Sequence, residues 1–174
     1  MLRGPLYSLF LQIKIKRWII MSSDLVTSAA LVLSVIFSGL ISGQMLAIAL
    51  ANRAARQLPE ISWTLRFQVE NKLFTKTMPP SLLLPLAGLI WSAFVTESTR
   101  RVLFSAAGAL ELTVLVITVT VEIPINTQVQ SWKAGSSPPT WMAIRDRWLR
   151  FHWVRTVVGA CSFICAAIGL GIHA

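Results

Sequence analysis

Residues 141–155, WMAIRDRWLRFHWVR, hold four arginines, three tryptophans and a histidine, and run without a break into TVVGACSFICAAIGLGI. Placed on a helix, Trp141, Arg145, Trp148, His152 and Arg155 recur at intervals of four, three, four and three, which is one continuous stripe. The stripe combines three chemistries. An imidazole exchanges a proton near neutral pH. Guanidinium groups steady a developing oxyanion. Indole faces stack on flat apolar molecules. Arg147, Arg150 and Trp153 fall outside the stripe and suit the lipid headgroup zone. The stripe continues along the apolar segment through Gly159 and Ser162.

A second set of ionisable groups lies in SAAGALELTVLVITVTVEIPIN. Glu111, Thr118 and Glu122 are seven and four residues apart and share a helix face. A carboxylate inside an apolar segment must be protonated or matched by a cation, because leaving it unpaired costs several kcal/mol. Glu122 is the carboxylate nearer the basic stripe, so a Glu122–arginine pair is expected. Pro124 is expected to end or kink this segment, with Asn126 capping the turn behind it. Upstream, Thr64, Gln68, Asn71 and Thr75 recur at four, three and four beside Phe67 and Phe74. They form a polar strip that stops at Pro79, read as a solvated face with a site wall as the alternative.

Metal chemistry is poorly provided for, and no metal ligand set is expected. His152 and His173 would stand about 31 Å apart on one helix, too far to share an ion. Cys161 and Cys165 lie on one face of an apolar run, which suits small packing residues and gives neither a C-x-x-C pair nor a zinc quartet. Phosphate-cradling glycine loops and acyl-transfer serine motifs are absent from the sequence. The remaining chemistry is acid–base and electrostatic.

These residues need a scaffold, and the composition identifies it. Of 174 residues 55% are hydrophobic and 13% charged, and the mean hydropathy is +0.66. A soluble domain carries roughly twice that share of charge. Apolar segments occupy about 25–51, 80–96, 101–125 and 152–172, close to the roughly 20 residues that cross a bilayer. The fold class is therefore all-α, a four-helix transmembrane bundle with short interfacial helical segments. Residues 1–24 form an N-terminal extension or interfacial segment, with a helix cap at Ser23 or Asp24, and 25–174 form one four-span membrane domain. Gly39, Gly43, Ala47 and Ala51 make a small-residue ridge suited to packing inside the bundle.

The segment TESTRR joins spans two and three in a tight hairpin, so the longer connections, 52–79 and 126–151, share the other side of the membrane. Ten of the sixteen basic residues lie at or beside those connections. That bias places them in the cytoplasm of a multi-pass protein of a bacterial cytoplasmic membrane. The net charge of +9 gathers at the ends of apolar runs, where it meets headgroups, so no nucleic acid is expected as a partner. The expected partners are the lipid bilayer and a hydrophobic aromatic small molecule, with a homo-oligomer left open.

The order PIN at 124–126, Trp132, PP at 138–139 and W...RDRW...H..R from Trp141 to Arg155 resembles the anthrone oxygenase-like integral membrane family. MPP at 78–80 and the four-span layout agree, and the resemblance extends over roughly 25–172. It implies a monooxygenase that oxidises anthrone-like substrates with O2 as co-substrate and no metal or flavin cofactor. Carried onto this chain, His152 would be the base, and Arg145 and Arg155 would stabilise the enolate-like oxyanion. Trp141 and Trp148 would stack on substrate, Asn126 would orient the substrate carbonyl or the histidine, and Glu122 counts among the substrate-binding residues. Two alternatives remain from the residues alone. One is a non-catalytic membrane protein that binds a lipid or quinone-like ligand or scaffolds a partner; the other is a metal-dependent oxygenase completed by a partner chain.

Overall fold

The computed structural model describes residues 5–172, and before Leu25 it describes the side chains of Lys14, Lys16 and Arg17 alone. His173, one half of the histidine pair considered above, lies outside the described residues. The described residues form five α-helices and one π-helical turn: α1 (Pro5–Ala55), α2 (Glu60–Val95), α3 (Ser98–Ile117), the π-turn Thr118–Glu122, α4 (Ile123–Gln130) and α5 (Trp141–Gly171). The described residues contain no strand. Because α3, the π-turn and α4 run on from one another, there are four rods. Leu25–Ala55, Glu60–Val95, Ser98–Gln130 and Trp141–Gly171 are each long and apolar enough to cross a membrane. This is an integral membrane four-helix bundle.

The rods are longer than the apolar segments that identify them. A continuous α1 passes straight through Ser23 and Asp24, so the expected cap there is not formed. In α2 the helix continues through Pro79, Pro80 and Pro85 rather than stopping at Pro79. A membrane helix tolerates these prolines because neighbouring rods support the turn that each one weakens. Pro124 likewise does not end the third rod. It lies just past the π-turn inside the continuous rod, where neighbouring rods carry the chain through as they do for the α2 prolines. Asn126 is therefore an interior helical residue and caps nothing.

The four rods form a ring in which α1 lies between α2 and α5, and α3 lies between the same two. This leaves α2 and α5 diagonally opposed across the bundle axis. Gly159 of α5 faces α1, where a Cβ would meet the tip of the Met45 side chain. Of the expected ridge on α1, Gly39 packs beneath the Phe163 ring, whereas Gly43 has open space around it. The packed stripe is instead Ser34, Ser38, Ser42, Met45, Ala49 and Asn52, all buried. Small hydroxyl residues do the work that glycine and alanine were expected to do, with Ser42 donating to Ser38 O and Gly159 O at 2.8 and 2.9 Å.

Three apolar layers fill the axis. Leu31, Val35, Leu89, Phe104, Ala107 and Ala166 fill the hairpin end. Ile41, Met45, Leu82 and Val114 close the middle. Trp63, Phe67, Val129, Trp148 and Leu149 crown the other end. At the hairpin, only Thr96 and Glu97 separate α2 from α3, and Ser98 takes a positive φ of 51° to complete the reversal. At the crowned end, two short links, 56–59 and 131–140, replace the long connections read from sequence. Glu60 ties the longer link down. Its carboxylate accepts the Gly135 N–H at 3.0 Å and the Ser137 hydroxyl, while Gly135 holds a φ of 82° that suits glycine.

Candidate functional site

Between the crown and the middle layer lies a cavity of about 490 Å³, within the range of roughly 300–1,000 Å³ typical of small-molecule sites. All four rods contribute. Asn52 comes from α1, Phe67, Asn71, Phe74 and Met78 from α2, Thr118, Glu122 and Asn126 from the third rod, and Trp148, His152 and Arg155 from α5. The stripe on α5 behaves as its spacing requires, since Arg145, Trp148, His152, Arg155, Gly159 and Ser162 are all buried.

The polar end of the cavity is one connected group. Glu122 Oε2 receives Arg155 Nη1 at 2.8 Å, and Glu122 Oε1 lies 3.0 Å from His152 Nδ1. Arg155 Nη1 also donates to Thr118 Oγ1 at 2.8 Å, and Arg155 Nη2 lies 3.2 Å from His152 Nδ1. On the other side of the ring, His152 Nε2 lies 3.0 Å from the Met45 carbonyl. A carbonyl only accepts, so Nε2 carries hydrogen and Nδ1 is the ring's basic atom. Glu122 Oε1 and Arg155 Nη2 thus both approach this one basic nitrogen, which joins carboxylate, imidazole and guanidinium into a single group.

The π-turn helps to place this group. A π-turn widens the helix locally, and its first and last residues, Thr118 and Glu122, both point to Arg155. Trp148 lies stacked on His152, with centroids 4.6 Å apart and planes at 15°, and Phe67 meets Trp148 edge-on at 5.3 Å. Indole Nε1 of Trp148 donates to Asn126 Oδ1 at 2.9 Å, which fixes the orientation of both side chains. The amide nitrogen of Asn126 has no protein partner among the described residues, and Asn126 borders the cavity.

The expected site residues therefore divide. His152, Arg155, Glu122, Trp148 and Asn126 come together. Arg145 and Trp141 do not line the cavity; they belong to a collar above it. Arg145 Nη1 donates to Arg56 O at 3.0 Å, and its guanidinium lies 5.0 Å from the Trp141 ring centroid. Trp141 packs against Trp63 at 5.8 Å. The polar strip on α2 also divides. Thr64 is fully buried at the tied link, and Gln68 bonds backbone carbonyls of the third rod and its link, while Asn71 and Thr75 line the cavity. The strip is a site wall in its second half rather than a solvated face.

Asn52 borders the cavity without any motif to announce it, whereas Asn71 and Phe74 belong to the α2 strip and Met78 to the MPP motif. The Met45 carbonyl is a main-chain atom, invisible to residue type. Among the described residues no group of three His, Cys, Asp or Glu side chains is placed to hold a metal ion. Glu111 is buried far down the third rod, with both carboxyl oxygens lacking a hydrogen-bond partner.

The family model for anthrone oxygenase matches residues 63–165, from the start of the crown through most of α5. The chain belongs to the anthrone oxygenase family. No curated protein and no solved structure matches it. The anthrone oxygenase match includes every residue of the Glu122–His152–Arg155 group and the aromatic walls from Phe67 to Trp148. From α1 it lacks Asn52, which lines the cavity, and Met45, whose carbonyl orients His152.

Proposed function

We propose that this protein is a membrane monooxygenase that oxidises a planar aromatic ketone of the anthrone type with molecular oxygen. The observation that carries this reading is the Glu122–His152–Arg155 group, a carboxylate, an imidazole and a guanidinium joined at the polar end of a cavity with aromatic walls.

The chemistry starts from the acidity of a benzylic CH2 conjugated with a ketone. Glu122 takes a C–H proton, and the electron pair moves to the ketone oxygen. The Arg155 guanidinium stabilises that oxyanion, an interaction stronger in the charged state than in the ground state. The proton passes between Glu122 and His152 Nδ1. Both His152 nitrogens already face protein atoms, so His152 acts through Glu122 rather than on carbon directly.

The carbanion then gives two electrons to oxygen as a C–O bond forms, and the pair returns its proton to the outer oxygen, giving a hydroperoxide. Removal of the second C–H proton breaks the O–O bond and forms the new carbonyl, and the departing hydroxide leaves as water. One CH2 and one O2 become one C=O and one H2O. The substrate supplies the electrons, so the scheme draws on no further redox group. Phe67, Phe74 and Trp148 offer aromatic walls to a flat molecule, and the free amide nitrogen of Asn126 is a second donor for its oxygens.

The test is oxygen uptake by the full-length protein in lipid nanodiscs with anthrone, after metal analysis, for wild type, Glu122→Gln and His152→Gln. Uptake above the spontaneous rate, lost by about 10²–10⁴-fold in both folded variants, is expected of a general acid–base pair. Wild-type uptake at the spontaneous rate would overturn the reading.

A further inference from the structure

The cavity has an opening that the reaction does not explain. On α2, Asn71, Thr75, Pro79 and Leu83 follow one another at four-residue intervals and line the cavity; the last three are exposed. Across from them Val119, Ile123 and Thr127 do the same on the third rod. Residues that both line a cavity and lie exposed on the outer surface are the rim of an opening. Leu83, Val119 and Ile123 are about half exposed on the surface that an integral membrane protein turns to lipid.

The opening is closed above and below. Towards the hairpin, Gly108 lies against Leu89 and Ile90. Towards the crown, Gln68 Nε2 donates to Val129 O and Trp132 O, both at 2.9 Å, and Gln130 Nε2 returns a bond to Gln68 O at 3.0 Å. The antiparallel register is the same at both contacts, and following it between them sets Pro79 opposite Val119, Thr75 opposite Ile123 and Asn71 opposite Thr127. The prolines of α2 and the π-turn of the third rod therefore stand at the same depth. The rim grades from apolar beside the middle layer to polar near the crown.

We infer that this slot between α2 and the third rod is the entrance through which a flat aromatic molecule dissolved in the bilayer slides edge-on into the cavity. Pro79 has no N–H for the Thr75 carbonyl, and Pro80 none for that of Lys76. The α2 rim therefore carries a backbone acceptor suited to a hydroxyl on the entering molecule. The inference rests on the proposed reading of the cavity as a site for flat aromatics, but its test does not use turnover.

Thr75→Cys and Ile123→Cys, in a chain carrying Cys161→Ala and Cys165→Ala, would be joined across the slot by a short bifunctional thiosulfonate. Full-length protein in nanodiscs is mixed with lipid-dissolved 9,10-anthraquinone, and saturable quenching of tryptophan fluorescence is followed in time. The bridge is expected to slow association and dissociation alike, by about ten-fold or more, with Kd nearly unchanged. A reducing agent should restore both rates in the same sample, which separates a blocked entrance from a misfolded chain. Unchanged rates would overturn the inference, as would slowed association with a weakened Kd. Absence of saturable quenching in the unbridged protein would also overturn it. Normal rate behaviour of the slot without anthrone oxidation would instead overturn the oxygenase reading alone.

Discussion

Glu122 and Arg155 meet at 2.8 Å with 3% of each side chain exposed, so neither charge has water to fall back on. Removing one partner leaves the other as an unpaired charge in a dry interior, which costs about 3–5 kcal/mol. Glu122→Gln and Arg155→Gln should each destabilise the bundle by that order, and the double variant should recover much of the loss. Thermal unfolding in detergent across the four-member cycle checks this. Additive losses would show that the pair is not coupled.

Arg145 should separate cleanly from Arg155. It holds the collar through Arg56 O and Trp141 and does not border the cavity. Arg145→Ala is therefore expected to leave anthraquinone affinity within about two-fold while costing about 1–3 kcal/mol of stability from the lost charged hydrogen bond. Arg155→Ala should abolish saturable binding. Equal losses of affinity in the two variants would place Arg145 in the site after all.

How much of this was legible in the sequence depends on whether side-chain type or backbone course decides the feature. The α5 stripe was legible because helical spacing and residue chemistry agree over five positions, and the Glu122–arginine pair followed from the cost of an unmatched charge. Arg145 and Trp141 obey the same spacing, yet the helix carries them one and two turns above the cavity, and periodicity alone does not report depth. The prolines misled for a different reason. Pro79 and Pro124 stop helices in water, whereas here neighbouring rods carry the chain through, so the polar strip on α2 continues into a site wall. The Met45 carbonyl that orients His152 belongs to no residue type at all.

Gly159 and Gly43 offer a matched contrast. A methyl group at Gly159 would run into Met45 Cε, and the Met45 carbonyl is the acceptor for His152 Nε2. Because that atom is the free end of a flexible side chain, Gly159→Ala should cost about 1 kcal/mol or less and leave the Met45 carbonyl, and with it turnover, in place. Gly43→Ala meets open space and should be neutral or slightly stabilising. Unfolding temperatures and oxygen uptake of the two variants decide the point.

Glu111 is the reverse of Glu122. Its carboxyl is buried without a hydrogen-bond partner, and the Ser162 hydroxyl donates to Ala107 O. Replacing an unsatisfied buried polar group by an apolar one of similar volume removes a desolvation cost of about 1–3 kcal/mol. Glu111→Met should raise the unfolding temperature and leave anthraquinone binding unchanged. A fall in stability would mean that the carboxyl has a partner in the membrane.

Held by Gln68 and Gln130 at one end and by the two-residue hairpin at the other, α2 and the third rod resemble beams clamped at both ends. Such beams part by bowing, with the largest displacement midway and almost none at the clamps. Midway is where each beam is weakest in bending, since α2 has lost backbone hydrogen bonds at Pro79 and Pro80 and the third rod is loosened by its π-turn. The Glu122–Arg155 bond spans the third rod and α5, on the flank of the third rod away from α2. Bowing of α2 can therefore widen the slot while the charged group keeps its geometry, so compliance and rigidity occupy opposite sides of one cavity.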